Sequence, residues 1–376
     1  ASSRHVQALL VAFGFGAFLE GIAGFGVSVL IPAGLLLSLG FEPLEAAMIP
    51  LVANTVPVVY AGVGIPIVAL AGVTSLELLP LTRAIALQLI PAILLIPFLI
   101  VLRIRPREAA AFRAALLAAL AFAAVQTTVA WWVGPELPGI AGALASILCL
   151  ILLSGTEAGF RRAFRLGGWA PYLVFLALIL ITRLAPQTRH APSSHWLYTP
   201  GSLLMISAVG VGLAQGARGS QFGAALGATA RQVWPSAVII VSAMAMARIM
   251  EAAGMISVLA SGVVSVSGGF YPFLGPVLGA IGTFLTGTDT SSNVLFGALQ
   301  VRASAELGLD RVWIAASNAA GASGGKLISP QNLAVAAAAV GLMGRESELF
   351  RRSAVYCAGY VALMSAVAGS VALLTG

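Results

Sequence analysis

The feature that most constrains this chain is its long stretches without a charged side chain. Residues 84–102 and 114–133 each run for about 20 residues without one, which is the length a helix needs to cross a hydrocarbon core roughly 30 Å thick. Only 9% of the side chains are charged and 59% are hydrophobic, so too few polar groups exist to cover a surface facing water. The sequence therefore predicts an all-α polytopic membrane protein, and it argues against a soluble enzyme or a nucleic-acid-binding protein.

The arginines indicate an orientation in the membrane. The formal net charge of +7 comes from arginines in short segments between the apolar stretches. When the stretches are threaded through a bilayer, twelve arginines fall on one face and five on the other, which predicts that the richer face is cytoplasmic. The loops predicted on that face are 103–113, 161–165, 218–231 and 345–352. This pattern gives no reason to expect nucleic acid as a partner.

No cofactor, metal site or enzyme motif is predicted. Cys149 and Cys357 lie in apolar stretches without a second Cys or a nearby His at ligand spacing, so neither a disulfide framework nor a metal site is expected. The segment 321–326 resembles a phosphate-binding loop, but that motif needs Gly at 320 and Ser or Thr at 327, where the chain has Ala320 and Leu327. The chain is not expected to be an enzyme.

Four apolar stretches are interrupted by glycines, prolines and polar residues. These stretches and their interruptions are 6–39 (at 20–26), 42–79 (at 54–66), 271–305 (at 286–293) and 311–343 (at 318–330). We expect 6–39 and 271–305 to be re-entrant hairpins, 253–267 not to cross, and about eight full crossings. The predicted parts are a first repeat core (1–80), connecting scaffold-like helices (81–268), a second repeat core (269–345) and a C-terminal helix (346–376).

The interrupted stretches form an internal repeat. Residues 16–21 (GAFLEG) match 282–287 (GTFLTG), and in both copies an Asn follows, Asn54 or Asn318, with a Pro twelve residues beyond it. An odd number of crossings separates the two hairpins, so the copies are predicted to be inverted in the membrane. Inverted repeats with broken helices are typical of secondary transporters, because irregular backbone persists in a membrane only where it is buried in protein or lines a wet cavity.

Three ionisable residues lie in these interruptions. Lys326 is the single lysine of the chain, and a lysine at the bilayer centre costs roughly 2.5–3.5 kcal/mol, so a functional role as the partner of an anionic substrate is favoured. Glu20 and Asp289 are predicted to carry or gate a proton, since a carboxyl group away from water favours its neutral form. The alternative interpretation is structural, with Lys326 pairing with Glu20 or Asp289.

Small and polar residues around the interruptions are predicted to complete a carboxylate site with Lys326. Half-helices beginning near Pro66 and Pro330, and the second arm of each hairpin, would direct their N-termini towards it. The predicted ligands are Gly24, Gly26, Asn54, Thr55, Thr290, Ser291, Ser292, Asn293, Asn318, Ser329, Gln331 and Asn332. Hydroxyl and amide oxygens at 291–293 also suit Na⁺, and Arg248, three residues before Glu251, is a second candidate partner for the carboxylate.

Residues 16–26, Asn54-Thr55, 64–66, 283–300 and 326–334 together resemble the bacterial L-lactate permease family. The resemblance implies a multi-pass protein of the bacterial inner membrane that imports lactate, glycolate or another 2-hydroxy monocarboxylate with protons. It also implies paired hairpins and broken helices that move like an elevator against a dimeric scaffold, and hence a homodimer.

The chain departs from the family at two points. Asp289 stands where the family more often has Asn, and family members carry several more transmembrane segments before the first hairpin, so a fragment or a shortened member is expected. Three alternatives stay open: a Na⁺-coupled carboxylate symporter, a small-anion channel, and a membrane-embedded component of a larger complex without transport of its own.

Overall fold

The computed structural model describes residues 4–24, 26–104, 108–154 and 200–375, with scattered residues between 170 and 182. The predicted loop 161–165 lies outside the described residues, as do residues 105–107 within the predicted loop 103–113. The described residues form helices joined by short turns and contain no strand, which confirms the predicted all-α class.

Fifteen helices are described, numbered here in chain order. They are α1 (Arg4–Ile22), α2 (Val27–Ser38), α3 (Pro43–Ala53), α4 (Ala61–Thr74), α5 (Leu78–Ile104), α6 (Ala109–Trp132), α7 (Pro138–Ser154), α8 (Pro200–Ala214), α9 (Gly219–Ala252), α10 (Met255–Ser267), α11 (Tyr271–Thr286), α12 (Asp289–Glu306), α13 (Arg311–Gly325), α14 (Pro330–Val340) and α15 (Glu346–Thr375). A π-helical segment occupies Leu9–Phe15 within α1, and a 3₁₀ turn at Val58–Tyr60 precedes α4.

Several of these helices are long and apolar enough to cross a bilayer. Among the described residues there are five, or six if α3 and the segment Val58–Thr74, which bend by 65° at a short break, count as one span. The chain is therefore an integral membrane protein, whereas the count of about eight crossings stays a prediction. In the stretch 253–267, predicted not to cross, Met255–Ser267 form α10, which continues through one 3₁₀ turn into α11, and the combined segment Met255–Thr286 is one of the five.

The first pair of interruptions lies where the sequence predicts it, with one correction. α1 ends at Ile22 and α2 begins at Val27, so Glu20 lies in the last turn of α1 and not in the interruption itself. The interruption between α3 and α4 is confirmed: Gly62, Val63 and Gly64 have left-handed backbone angles, and regular helix resumes only after them. Pro66 then lies in the first turn of that helix, where its missing N–H removes no hydrogen bond.

The second pair of interruptions is shorter than predicted. α11 and α12 are separated only by Gly287 and Thr288, because the Thr288 side chain accepts the backbone N–H of Ser291 and starts a new helix at once. The interruption predicted from residue 318 is wrong at its start, since α13 continues to Gly325 and the irregular segment covers only 326–329. Ser329 caps α14, and Pro330 occupies its first turn as expected.

Glycines in α13 serve packing and do not break the helix. α13 lies against α11, and a Cβ atom at Gly321 would collide with the backbone of Pro276. Equivalent close approaches join Gly279 to Asn318 and Gly325 to Ala280. Small residues at such helix interfaces allow the backbones to approach closely, which is the main source of packing energy between helices in a bilayer.

We expect Gly321→Ala to destabilise the protein by about 1–3 kcal/mol, the usual cost of overpacking a tight interface. Gly359→Ala is the matched control, because Gly359 also lies in a helix but has no atom within 4 Å of the added Cβ. Thermal unfolding of both purified variants in detergent measures the difference. Equal unfolding temperatures for Gly321→Ala and the wild-type protein would show that this contact is not tight.

The two predicted repeat cores contact each other around the interruptions. Helix α2 of the first predicted core lies against α14 of the second, and α12 of the second lies against α4 of the first. By compactness the chain divides into one unit formed by residues 1–153 and 238–376 and another formed by residues 154–237. Both repeat cores belong to the first unit, and the predicted division into four functional parts stays a prediction.

Candidate functional site

A cavity of about 80 Å³ lies where the interruptions of both repeats meet. This volume holds several non-hydrogen atoms, since one water molecule needs roughly 10–15 Å³ measured in this way. The lining residues come from the ends of α1, α4, α12 and α14 and from the segments that precede these helices or α2. They are Glu20, Gly24, Gly26, Val58, Ala61, Gly62, Ile65, Pro66, Gly287, Thr288, Asp289, Thr290, Lys326, Gln331 and Asn332.

Four helix N-termini reach this cavity. α2 begins directly after Gly26, the regular part of α4 begins near Ile65, α12 begins at Asp289, and α14 begins at Pro330. The first turn of each helix has backbone N–H groups without a partner in the helix, and the helix dipole is positive at that end. The cavity wall is therefore suited to an anion, as the sequence predicts.

The single lysine is paired inside the cavity. Lys326 Nζ lies 2.7 Å from Glu20 Oε1, and the two residues are 9% and 0% exposed. The pair joins the first repeat to the second across 306 residues of sequence. A buried pair gives little net stability but is costly to break, because the remaining charge is left without a partner.

Ser28 contacts the second carboxylate oxygen of Glu20. It was not predicted as a site residue. Its hydroxyl lies in hydrogen-bond contact with Glu20 Oε2, and also 3.0 Å from Asn54 Oδ1. Ser28 lies in the first turn of α2 and is 1% exposed. No sequence signal marks it, since one serine in an apolar helix is common and its partners lie eight and twenty-six residues away.

Asp289 is the second buried carboxylate and is held differently. It is 3% exposed, and its oxygens accept hydrogen bonds from the hydroxyls of Thr283 (3.4 Å) and Ser323 (3.3 Å). It interacts electrostatically with both Lys326 and Glu20 but forms no ion pair among the described residues. The cavity therefore has two carboxyl groups and one ammonium group, and Glu20 is the carboxyl group paired with it. Thr283 and Ser323 were not predicted as site residues.

A strained backbone segment begins at Gly62, which lines the cavity. Gly62, Val63 and Gly64 have φ values of +51°, +63° and +79°, which is unusual for a β-branched residue such as Val63. Gly64 also approaches the Pro135 carbonyl oxygen so closely that a Cβ atom would lie 2.6 Å from it. Strain of this kind persists only where the surrounding structure imposes it, and it is concentrated at functional sites.

The structure brings eight of the fifteen predicted site residues to the cavity. These are Glu20, Gly24, Gly26, Asp289, Thr290, Lys326, Gln331 and Asn332. The other seven lie behind the wall and do not line it. They are Asn54, Thr55, Ser291, Ser292, Asn293, Asn318 and Ser329.

These seven residues bond to the protein around the cavity. Asn293 Nδ2 donates to the Pro66 carbonyl oxygen at 3.0 Å, which ties the second hairpin to the first repeat, and Asn293 Oδ1 accepts from Asn318 Nδ2. Ser329 caps α14, and Ser292 donates to the Gly279 carbonyl oxygen. A polar group buried in a membrane protein needs such partners, so these residues shape the site, and their direct contact with a ligand stays a prediction.

The other predicted groups lie away from the cavity. Arg248 pairs with Glu251 at 3.1 Å, as expected from their spacing, but both side chains are more than half exposed and neither lines the cavity. Within the described part of the chain, no cluster of three or more His, Cys, Asp and Glu residues is arranged to hold a metal ion. Cys149 and Cys357 are free thiols.

Comparisons with known proteins identify relatives over most of the chain. A family model described as L-lactate permease matches residues 1–165 and 173–375. An L-lactate permease of Streptococcus iniae is 38% identical, over 83% of this chain and 73% of the relative. The L-lactate permease of Bacillus subtilis is 33% identical, over 93% and 75%, and the glycolate permease GlcA of Escherichia coli is 32% identical, over 99% and 78%. No solved structure matches.

Proposed function

The chain belongs to the L-lactate permease family, and from this we propose that it is a secondary transporter of the bacterial inner membrane that imports lactate or a related 2-hydroxy monocarboxylate together with protons. The observation that carries the proposal is the cavity between the interruptions, where the single lysine, two buried carboxyl groups and four helix N-termini come together. A polar site at the meeting point of broken helices is the usual binding site of such transporters.

The charges of the site explain how binding of the substrate is coupled to uptake of a proton. With Glu20 and Asp289 ionised, the site carries two negative charges and the one positive charge of Lys326. A carboxylate ligand that binds Lys326 displaces Glu20 and adds a third negative charge to a buried space. Carboxylates that lie close together in a buried space favour protonation of one of the carboxylates. Binding of the anion and uptake of a proton are therefore linked.

The volume and the lining of the cavity support a small hydroxy acid as the substrate. Thr290, Gln331 and Asn332 provide hydroxyl and amide groups near Lys326, whereas Val58 and Ile65 provide an apolar surface. We propose that the carboxylate binds Lys326 and the helix N-termini, the 2-hydroxyl group bonds to the polar side chains, and the short alkyl group contacts the apolar side. The small volume disfavours longer acids.

The two repeats give the site a means of opening to either side. This proposal is supported by the contacts of α2 with α14 and of α12 with α4, which join the two predicted cores. We propose that the copies are inverted, with the arginine-rich loops cytoplasmic, that the protein is a homodimer, and that the repeat cores move as a unit. Glu20 and Asp289 would carry the proton during this movement.

Uptake of labelled L-lactate into proteoliposomes tests this function. We expect accumulation driven by an inward proton gradient, unchanged when Na⁺ is replaced by choline. Accumulation that requires Na⁺ would establish the sodium symporter instead, and flux that never exceeds equilibration would indicate a channel. Absence of any lactate flux would contradict the proposal as a whole.

A further inference from the structure

Ser28 occupies a position between the proton-carrying carboxyl group and a broken helix. It lies behind the cavity wall and does not line it. Its Oγ atom contacts Glu20 Oε2 on one side and Asn54 Oδ1 at 3.0 Å on the other. All three residues are buried, so water does not replace any of these partners at low cost.

The serine hydroxyl has one proton and faces two acceptors. A hydroxyl donates a single hydrogen bond, although it accepts up to two. When Glu20 is ionised, its carboxylate is the stronger acceptor, so the hydroxyl proton points to Glu20 Oε2. Asn54 Oδ1 then has no donor from Ser28.

Protonation of Glu20 reverses this arrangement. A proton on Oε2 makes Glu20 a donor, and Ser28 Oγ accepts its hydrogen bond. The serine hydroxyl then rotates and donates to Asn54 Oδ1. Ser28 neither gains nor loses a proton in this exchange; only the direction of two hydrogen bonds changes.

We propose that Ser28 is a positioning residue that transmits the protonation state of Glu20 to Asn54. This inference rests on the proposed function, in which Glu20 carries the coupled proton. Asn54 is the first residue after α3, and its N–H still donates to the Pro50 carbonyl oxygen. The chain that follows forms the cavity wall at Val58, Ala61 and Gly62. A hydrogen bond gained by Asn54 therefore stabilises this turn only when the proton is present.

Other ionisable groups surround Glu20 and are included in this account. Lys326 bonds to its other oxygen, and Asp289 interacts with it electrostatically. Tyr60 lies in the 3₁₀ turn that packs on the end of α1. Glu136 precedes α7, whose Ile140 packs on Gly21. Among these elements, Ser28 is the side chain in contact with both Glu20 and Asn54.

The test compares two activities of each variant in proteoliposomes. Accumulation driven by a proton gradient requires coupling, whereas exchange of labelled for unlabelled lactate requires no net proton movement. For Ser28→Ala we expect the ratio of driven uptake to exchange to fall about tenfold, the effect of one lost hydrogen bond to a charged group. Ser28→Thr keeps the hydroxyl and restores the ratio, because threonine donates in the same way.

Ser304→Ala is the matched control. Ser304 is equally buried, but its hydroxyl donates to a carbonyl oxygen of its own helix, at Val301. We expect the ratio of driven uptake to exchange in Ser304→Ala to equal that of the wild-type protein. If Ser28→Ala does not fold, Ser28→Cys, with a weakly donating thiol, provides the same comparison.

The outcomes separate the two proposals. A wild-type ratio in Ser28→Ala, with proton-driven uptake intact in the wild-type protein, overturns the role of Ser28 and leaves the transporter proposal standing. If Ser28→Ala loses exchange and driven uptake in equal proportion, the proposed role of Ser28 is overturned as well, because loss of a purely structural serine would have that effect. Absence of proton-driven uptake in the wild-type protein overturns the proposed function, and the inference with it.

Discussion

Lys326→Gln is expected to abolish lactate uptake and to remove the stabilisation of the purified protein by lactate. Lys326 is the single lysine of the chain and the cation in contact with Glu20 in the cavity, so no other ammonium group replaces it. A ligand that binds only the folded protein stabilises it by about 2.7 kcal/mol at a hundred times its Kd. Thermal unfolding with and without L-lactate measures this gain, which we expect to disappear in the variant.

The same substitution leaves Glu20 buried without its partner. Breaking a buried ion pair on one side costs about 3–5 kcal/mol, so Lys326→Gln is also expected to be less stable without ligand. The double variant with Glu20→Gln removes both charges and is expected to recover most of this loss while remaining inactive. Recovery of stability without recovery of transport separates the binding role from the structural role.

Arg248→Gln is the control for charge removal. Arg248 is exposed and pairs with Glu251 outside the cavity, so its loss is expected to change neither uptake nor stabilisation by lactate. Unchanged protection by lactate in Lys326→Gln, together with lost protection in Arg248→Gln, would move the carboxylate partner to Arg248.

Glu20→Gln is expected to separate transport from the proton gradient. Glutamine keeps the shape and hydrogen-bonding groups of the protonated acid but neither gains nor loses a proton. The substitution also frees Lys326 from its competitor, so lactate exchange is expected to continue while accumulation driven by the pH gradient is lost. A loss of coupling of about 100-fold corresponds to roughly 2.7 kcal/mol, which is within the range of a buried charge interaction.

Glu306→Gln is the control for this variant. Glu306 pairs with Arg302 and lies outside the cavity lining. Lactate uptake by Glu306→Gln is therefore expected to follow the pH gradient as in the wild-type protein. If Glu20→Gln still accumulates lactate in proportion to the pH gradient, the proton is carried elsewhere. Asp289 is then the remaining buried carboxyl group of the cavity.

The central pair of this site was predictable because its chemistry is rare in a membrane. A single lysine and a glutamate within glycine-rich interruptions are costly unless they have partners, so their presence alone indicated a site. The helix starts at Pro66 and Pro330 were predictable for a similar reason, since proline without an N–H fits the first turn. The structure pairs the two charges with each other, as the alternative, structural interpretation of Lys326 predicted.

The extent of the interruptions was less predictable. The glycines at 321, 324 and 325 indicated a break that would start at Asn318, but in α13 Gly321 and Gly325 allow close contact with α11, and the helix continues to Gly325. A glycine that breaks a helix and a glycine that packs against a neighbour look the same in a sequence. Only the neighbouring helix decides between them.

The polar residues behind the cavity illustrate a second limit. Asn293 and Asn318 were expected to bind substrate because polar side chains are costly in lipid. In the structure they pair with each other, and Asn293 also bonds to the Pro66 carbonyl oxygen 227 residues away. Ser28 was missed for the converse reason, since its importance comes only from the fold that places Glu20 and Asn54 on either side of it.

The central claim is that the carboxylate of the substrate displaces Glu20 from Lys326 and that a proton is taken up as a result. The most direct test is to measure proton uptake by the purified protein when lactate binds. Sodium-free protein in weak buffer receives choline L-lactate at matched pH, and an indicator dye records the change in free protons. We predict uptake approaching about one proton per bound lactate, absent in Glu20→Gln and in Lys326→Gln. Lactate binding that calorimetry detects in the wild-type protein without any proton uptake would contradict the account.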